Sequence, residues 1–357
     1  MPVVRELTIT SNLRNYQVKL CDDDSFIADF ASQANTVFIV DENVWRLHQN
    51  TTLRLLKDPI ILPISEEGKS LESVQLLYDQ VISLSAKKNM TLVSIGGGIT
   101  QDITGFVAST LYRGVNWIFV PTTLLAQADS CIGAKTSLNY KKYKNLLGTF
   151  FPPHQVYIYP GFLDTLDEPV YLSGLGEIVK LYVIGGEQDT LRLLGALPAL
   201  LNRQDEVLLN FVMRSLTIKK DYIEADEFDT GKRNMLNFGH CFGHAVEYAT
   251  GYALAHGQAV VVGMILAGFV ARERGLLQTE TEQMLRAQLL IPVLGPEFPK
   301  LELDHASIIE AMKQDKKRVG ADLPLIMVTD GYAMVKVTDL KVSEVHQALD
   351  FFTETGL

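Results

Sequence analysis

The sequence predicts an α/β domain over residues 1–160 followed by an all-α domain over residues 161–357. Three observations support this prediction. The chain has 357 residues, a length at which one hydrophobic core usually divides into two. Short β-branched runs alternate with helical segments in the first half, and long stretches with helical periodicity follow Phe162.

The first domain is predicted to hold a mostly parallel sheet covered by helices. The N-terminus, MPVVRELTITSNLRNYQVKL, predicts two short alternating strands joined by a turn. Five further strand candidates follow in chain order: TVFIVD, PIILPI, TLVSIGGG, VNWIFVPTT and QVYIYP. Strands that alternate with helices favour parallel pairing, because each helix carries the chain back across the sheet.

The second domain is predicted to be helical. Its long periodic stretches are separated by glycine, proline or acidic breaks, as is typical of packed helices. They are YLSGLGEIVKLYVI, EVLLNFVMRSLTIKKDYIEAD, MLNFGHCFGHAVEYAT, GQAVVVGMILAGFVARERG and HASIIEAMKQDKK.

Composition excludes several classes of function. No apolar run approaches the roughly 20 residues of a membrane span, and the N-terminus lacks the features of a secretory signal, so we expect a cytoplasmic protein. The sparse cysteines Cys21, Cys131 and Cys241 fit reduced thiols and exclude a CxxC zinc site. The net charge of −10 disfavours a nucleic-acid partner, because phosphate backbones are bound by surplus lysine and arginine.

Basic residues nevertheless cluster along the chain. A lone lysine is usually a solvated surface charge, but Lys180 and Lys219 lie inside apolar helical runs, where a buried cation is costly without an anion. Lys180 follows Glu177 by three residues, so the two either form an ion pair or both meet a ligand. If the clusters converge, they form a pocket for a small polyanion. The clusters are Lys135, Lys141–Asn145, Lys180, Ile218–Lys220, Gly231–Arg233 and Asp315–Arg318.

A glycine turn suggests a dinucleotide. VSIGGGITQD, residues 93–102, places three glycines between a buried strand and a helix start, where backbone N–H groups can bind a pyrophosphate. Because the pattern is not GxGxxG, an ordinary tight turn is the alternative. Asp41 and Asn43, and Thr122 and Thr123, follow other strands and suit nucleotide hydroxyls or bases, with helix caps or turns as the alternative.

Three histidines lie in one segment of the helical domain. His240 and His244 are four residues apart, as in helical zinc sites, and His256 opens the next helix. With Glu177 as a carboxylate, they could bind a metal. The alternatives are an acid–base pair or satisfied core side chains.

Seven motifs resemble, in order, 3-dehydroquinate synthase and the related sugar phosphate cyclases. The resemblance runs from about Asp41 to Lys317 and implies an N-terminal Rossmann-like NAD-binding domain and a C-terminal helical metal-binding domain. The motifs are GGGITQD, LYRG, VPTTLLAQADSCIGAKT, KN at residues 144–145, GLGEIVK, RNMLNFGHCFGHAVE and HGQAVVVGM.

The resemblance also implies a role for each matching residue. A divalent metal, zinc or cobalt, would be held by Glu177, His240 and His256, and Asp129 would lie between NAD and the substrate. The substrate phosphate would be met by Lys135, Asn145, His244, Lys317 and, from a neighbouring subunit, Arg113. The carboxylate and hydroxyl side would be lined by Lys180, Lys219, Arg233 and Asn237. The NAD contacts would be Asp41, Asn43, Glu66, Lys69, Gly97, Gly98, Asp102, Thr122, Thr123, Lys144 and Thr165.

The implied reaction oxidises a sugar phosphate transiently with NAD, eliminates phosphate, returns the hydride and closes a ring by aldol addition. Arg233, Asn237 and Lys219, which the resemblance places on the carboxylate side of the substrate, are all present. We therefore expect an acidic sugar phosphate, 3-deoxy-D-arabino-heptulosonate 7-phosphate, as in the shikimate pathway. The role of Arg113 implies a homodimer.

Several positions depart from the family pattern. Gln101, Ala134 and Gln258 replace a glycine, a glycine and a glutamate, while DEPV after Leu166 and YKKY after Asn139 also differ. A divergent synthase, or a cyclase acting on an amino analogue or on sedoheptulose 7-phosphate, therefore stays open. An iron-type NAD-dependent alcohol dehydrogenase is the alternative from another class, because it shares the two-domain plan.

Overall fold

A computed structural model describes residues 3–84, 87–141, 143–314 and 323–355. The chain forms two compact units, Met1–Leu166 and Asp167–Leu357. Cys21 and Cys131 are buried, and Cys241 is half-buried. Among the described residues, no helix has the length and apolar character needed to cross a membrane.

The first unit is an α/β structure. Its helices are α1 (Phe26–Ala31), α2 (Glu42–His48), α3 (Leu71–Ser83) and α4 (Gly98–Thr110). Its strands are β1 (Val3–Ile9), β2 (Tyr16–Cys21), β3 (Thr36–Asp41), β4 (Ile60–Leu62), β5 (Thr91–Gly96), β6 (Asn116–Pro121), β7 (Lys135–Tyr140), β8 (Tyr143–Phe150) and β9 (Gln155–Ile158).

Seven of these strands form one sheet in the order β1-β2-β9-β6-β5-β3-β4. All neighbours are parallel except β1 and β2, which pair antiparallel at the edge. The central strands are almost wholly apolar and buried, with Val93, Ile95 and Val120 at 0% exposure, because helices cover both faces of a parallel sheet. These are the seven strands predicted from the sequence, and the α/β class is confirmed.

Strands β7 and β8 form a separate antiparallel hairpin that the sequence analysis did not predict. Their sequences, KTSLNY and YKNLLGTF, are polar, and most of β8 is exposed or half-buried. Such strands lack the buried apolar run by which the other strands were recognised.

The second unit is mostly helical, as predicted, with an added antiparallel hairpin of β10 (Leu323–Val328) and β11 (Met334–Leu340). Its helices are α5 (Glu168–Ile184), α6 (Glu187–Leu201), α7 (Asp205–Ala225), α8 (His240–Ala249), α9 (His256–Glu273), α10 (Thr279–Met284), α11 (Ile291–Leu294), α12 (His305–Gln314) and α13 (Val342–Glu354).

Helix α9 is buried along nearly its whole length and touches α5 and α8 through glycines. A Cβ atom on Gly257 would lie 1.8 Å from the carbonyl oxygen of Ser173 on α5. A Cβ atom on Gly263 would lie 1.9 Å from the carbonyl oxygen of Gly239, which precedes α8. Since real Cβ atoms do not approach so closely, only glycine permits these backbone contacts.

Replacing Gly257 with alanine should therefore destabilise the protein. We expect Gly257→Ala to lower the free energy of unfolding by about 1–3 kcal/mol or more, because the added methyl group forces α5 and α9 apart. Gly195→Ala in α6 is the matched control, since nothing lies within 4 Å of its Cβ position. The control should be neutral or stabilising by up to about 1 kcal/mol. Equal urea midpoints for the two variants would contradict this account of the packing.

Candidate active site

Three potential metal ligands meet in the second unit. Glu177 lies midway along α5, while His240 and His256 are the first residues of α8 and α9. The Oε1 atom of Glu177 is 3.5 Å from Nε2 of His256 and 3.9 Å from Nε2 of His240. Two ligand atoms bound to a tetrahedral zinc lie about 3.3 Å apart. The observed spacing and the N,N,O donor set therefore suit a divalent cation.

Lys180 fixes the other oxygen of the same carboxylate. Its Nζ donates to Oε2 of Glu177, and both side chains are almost fully buried. Burial of the two charges is tolerable because they neutralise each other. Of the two alternatives that the sequence left open for this pair, the ion pair is present, and it leaves Oε1 directed at the imidazoles.

The second ring nitrogen of each of the two histidines has its own acceptor, as expected for metal ligands. Nδ1 of His240 is 3.2 Å from the carbonyl oxygen of Phe238, and Nδ1 of His256 is 3.3 Å from Oε2 of Glu247. Burial opposes protonation of His256, but the hydrogen bond to Glu247 and the charges of Glu247 and Glu177 outweigh it and raise the pKa of this imidazole.

Glu247 is a site residue that the sequence analysis missed. It is 5% exposed on α8, three residues after His244, and a buried carboxylate on a helix needs a partner. Its position in the segment GHAVE is the feature of the sequence from which Glu247 could have been predicted as a site residue. Glu247 also forms a second group of potential ligands with His244 and His256.

His240 and His244, four residues apart in sequence, belong to different groups of potential ligands. Their ring centroids lie 5.3 Å apart, in an edge-to-face arrangement. In the described ranges, no group of three potential ligands contains both histidines. Glu177 on α5 and His256 on α9 are far apart in sequence, so their contact cannot be predicted from sequence spacing.

Buried cations accompany the ligand cluster in the same unit. Lys180, Lys219 and Arg233 are 2%, 9% and 3% exposed. Arg233 and Asn237 lie in a 3-10 turn, Lys232–Asn237, which contacts α5 and α7 and leads into α8. Cations at this depth favour an anionic ligand or fixed anionic partners.

The glycine turn in the first unit has the expected form. Strand β5 ends at Gly96 and α4 begins at Gly98, so the N–H groups of the first helical turn are available to an anion. A Cβ atom on Gly97 would lie 3.0 Å from Cγ2 of Thr123, and the N–H of Thr122 donates to the carbonyl oxygen of Gly96 at 3.0 Å. The ends of β5 and β6 are thereby joined at one edge of the sheet.

Asp41 serves as a helix cap. Its Oδ1 accepts hydrogen bonds from the N–H groups of Asn43 at 2.8 Å and Val44 at 3.4 Å. Burial raises the pKa of Asp41, and these backbone bonds oppose that shift. The helix cap, which was the alternative to a nucleotide contact for Asp41, is thus present. The contact of Asp41 with a ribose stays a prediction.

The buried Lys69 forms an ion pair with the half-buried Asp102, with Nζ and Oδ2 3.0 Å apart. Ser137 on β7 donates to the same carboxylate through its N–H at 2.9 Å and its hydroxyl at 2.8 Å. Lys69 also donates to the Oδ1 atom of Asn145. This network ties the unpredicted β7–β8 hairpin to α4, so that Ser137 joins a set of expected nucleotide contacts.

A second network holds the far end of the hairpin. The side chain of Asn139 donates to Oε1 of Glu66 at 2.9 Å and accepts from the N–H of Asn145 at 2.9 Å. Lys144 forms an ion pair with Glu66 at 3.7 Å. Glu66 and Lys144, both expected to contact NAD, are therefore already in contact with each other.

The remaining predicted residues are placed as follows. Lys135 opens β7, Asp129 lies in a π-helical turn, and the hydroxyl of Thr165 is 2.9 Å from Nε2 of His48. Arg113 is exposed in a turn where Tyr112, Arg113 and Gly114 all have positive φ. Lys317 lies outside the described residues.

Two departures from the family pattern have partners of their own. Nε2 of Gln101 donates to the carbonyl oxygen of Ser130 at 2.7 Å, and Nε2 of Gln258 donates to the carbonyl oxygen of Leu294 at 2.9 Å. Ala134 keeps the φ of +60° that glycine adopts readily. The two glutamine side chains are thus satisfied by backbone acceptors within the fold.

Comparison with known proteins identifies relatives along the whole chain. Family models described as 3-dehydroquinate synthase N-terminal and C-terminal match residues 59–173 and 174–318. A 3-dehydroquinate synthase of Acidithiobacillus ferrooxidans is 34% identical over 99% of this chain and 100% of its own length. One from Coxiella burnetii is 39% identical over 78% of each chain.

Solved structures extend the comparison to the fold. A 2-epi-5-epi-valiolone synthase from Streptomyces hygroscopicus, with NAD+ and Zn2+ bound, superposes with a TM-score of 0.81 at 25% identity, covering 97% of this chain and 99% of that one. A glycerol dehydrogenase from Schizosaccharomyces pombe shares the fold alone, with a TM-score of 0.63 at 16% identity over 93% and 87% of the two chains. The chain belongs to the 3-dehydroquinate synthase family.

Proposed function

We propose that the protein is a 3-dehydroquinate synthase that converts 3-deoxy-D-arabino-heptulosonate 7-phosphate into 3-dehydroquinate and phosphate. The observation that carries this proposal is the convergence of Glu177, His240 and His256. Their unit also contains the buried cations Lys219 and Arg233, which suit the carboxylate of an acidic substrate.

NAD and a divalent metal, zinc or cobalt, are the proposed cofactors. When bound, NAD supplies reversible hydride transfer and the metal supplies a Lewis acid for hydroxyl and carbonyl oxygens. The N-terminus of α4 would bind the pyrophosphate, while Asp41 and Lys69 would meet other parts of the nucleotide. Glu177, His240 and His256 would hold the metal, and Lys180 would remain paired with the other oxygen of the Glu177 carboxylate.

The two anionic groups of the substrate would be held by different residues. The phosphate would be met by Lys135, Asn145 and His244, whose positive or hydrogen-bonding groups stabilise charge as the phosphate leaves. Lys317 and, from a neighbouring subunit, Arg113 would complete this set. We therefore propose a homodimer. We place the protein in the cytoplasm, because few and scattered cysteines are typical of reduced thiols. Lys219, Arg233 and Asn237 would hold the carboxylate.

The dehydrogenase alternative is less well supported. The iron-containing alcohol dehydrogenases resemble this chain at the level of fold alone, for example at 13% identity and a TM-score of 0.60. A simple alcohol also carries no carboxylate for Arg233 to bind. An acidic sugar phosphate explains why a cation is retained at a buried position where it is otherwise costly.

The purified protein with zinc and NAD should release phosphate from 3-deoxy-D-arabino-heptulosonate 7-phosphate without net accumulation of NADH.

Arg233→Met should lower kcat/KM by about 100-fold, because it removes a buried charge that pairs with the carboxylate. Lys232→Met, at the exposed neighbouring position, is the control and should retain activity. Phosphate release measures kcat/KM of each variant, and absorbance at the NADH wavelength measures the accumulation of NADH. Steady NADH production from an alcohol would reject the proposal in favour of a dehydrogenase.

Metal affinity should depend on Glu247 although it is absent from the proposed ligand set. Glu247→Gln removes the charge that faces Nδ1 of His256, and we expect about tenfold weaker zinc binding. Glu280→Gln, an exposed position on α10, is the control. Metal content after dialysis against zinc buffers measures the affinity independently of activity. Identical zinc affinities in the two variants would show that Glu247 does not support His256.

A further inference from the structure

One carboxylate organises the segment between α7 and α8. Asp226 follows the last residue of α7, and its Oδ1 accepts from the N–H of Thr230 at 3.0 Å and from the hydroxyl of Thr230 at 3.1 Å. Its Oδ2 accepts from the N–H groups of Gly231 at 2.7 Å and Arg233 at 2.9 Å. Four hydrogen bonds to one side chain therefore fix the loop that ends at Arg233.

Arg233 is held at both ends by this loop. Its backbone N–H donates to Asp226, and its guanidinium NH1 donates to the carbonyl oxygen of Glu227. The side chain is 3% exposed, so it has little freedom to adopt other rotamers. An arginine that is already ordered loses less conformational entropy when it binds a carboxylate.

A second anchor reaches the same turn from β11. The side chain of Asn234 accepts from Nζ of Lys336 at 2.7 Å and donates to the carbonyl oxygen of Asp229 at 3.1 Å. The carbonyl oxygen of Asn234 accepts from Nδ2 of Asn237 at 2.9 Å. Lys336 is thus linked through Asn234 to Asn237, and the β10–β11 hairpin supports the turn.

We propose that Asp226 and Lys336 are positioning residues for the carboxylate of the substrate, acting through Arg233 and Asn237. This inference rests on the proposed function, in which Arg233 and Asn237 bind that carboxylate. Neither Asp226 nor Lys336 needs to touch the substrate. They determine how accurately the turn Lys232–Asn237 presents its binding groups, and a misplacement of about 1 Å is enough to weaken binding by a large factor.

Asp226 stays ionised under all ordinary assay conditions. Partial burial disfavours its charged form, but the N–H groups of Thr230, Arg233 and Gly231 outweigh this effect and lower the pKa of Asp226 to about 2. Substitution with asparagine therefore changes the charge and the number of accepted hydrogen bonds at neutral pH while keeping the size of the side chain.

The test compares Asp226→Asn with the wild type and with Asp221→Asn. The control removes the same charge from an exposed position on α7. We expect Asp226→Asn to raise KM for 3-deoxy-D-arabino-heptulosonate 7-phosphate by about tenfold with a much smaller change in kcat. The inhibition constant of inorganic phosphate should stay unchanged, because other residues bind the phosphate. Asp221→Asn should match the wild type.

Lys336→Met gives a second variant whose folding is secure, because Lys336 is exposed on β11. We expect a smaller rise in KM, of about twofold to fivefold, since one hydrogen bond is lost. A rise in KM in both variants, larger in Asp226→Asn, supports the inference. Unchanged KM in both, or a loss confined to kcat, would overturn it, because a merely structural defect lowers the amount of active enzyme without weakening binding.

Hydrogen exchange separates this inference from the proposed function. In Asp226→Asn the new NH2 group replaces one of the two oxygens, so either the amide of Thr230 or those of Gly231 and Arg233 lose their acceptor. The amides that lose it should exchange at least about tenfold faster. Unchanged protection of these amides would overturn the inference even if the enzyme is active. A wild-type protein that is inactive on the acidic sugar phosphate but shows faster exchange in the variant would refute the proposed function and leave the structural role of Asp226 intact.

Discussion

The close approach of three helix backbones is the constraint on which the candidate metal site depends. Gly176 precedes Glu177, Gly239 precedes His240, and Gly257 follows His256. A Cβ atom on Gly176 would lie 2.6 Å from the carbonyl oxygen of Gly257, and one on Gly239 would lie 2.6 Å from that of Val260. Each ligand therefore stands beside a glycine at a backbone contact.

Buried charge imposes a second condition on the same unit. The carboxylate of Glu177 is desolvated, and it is stable there because Lys180 neutralises one oxygen while two imidazoles face the other. Glu247 extends this arrangement by one step, since it contacts the outer nitrogen of His256. Lys180, Glu177, His256 and Glu247 thus form one continuous chain of contacts, and a divalent cation would fit between the carboxylate of Glu177 and the imidazole nitrogens.

Sequence periodicity predicted the elements of the fold that bury apolar residues. The central strands β3, β5 and β6 are short, continuous apolar runs, and the helices α5, α7 and α9 are long stretches with apolar residues at helical spacing, so they were recognised. The hairpins β7–β8 and β10–β11 were not. Strand β8 has little buried apolar surface, so it lacks the apolar run by which the other strands were recognised.

The residues of the site were predicted less completely than the elements of the fold. The resemblance to the family singled out Glu177, His240 and His256, and the structure brings them together, whereas local spacing favoured His240 with His244. Residues that hold others in place, such as Glu247, Ser137 and Asp226, were missed. Their importance comes from contacts formed only after folding, as when Ser137 meets Asp102 across 35 positions of sequence.

Anomalous diffraction at the zinc absorption edge, from crystals of the zinc-loaded protein, tests the central claim most directly. The account predicts one strong peak at about 2.1 Å from Oε1 of Glu177 and from Nε2 of His240 and His256. A peak between His244, Glu247 and His256 instead, or no peak in this unit, would contradict it.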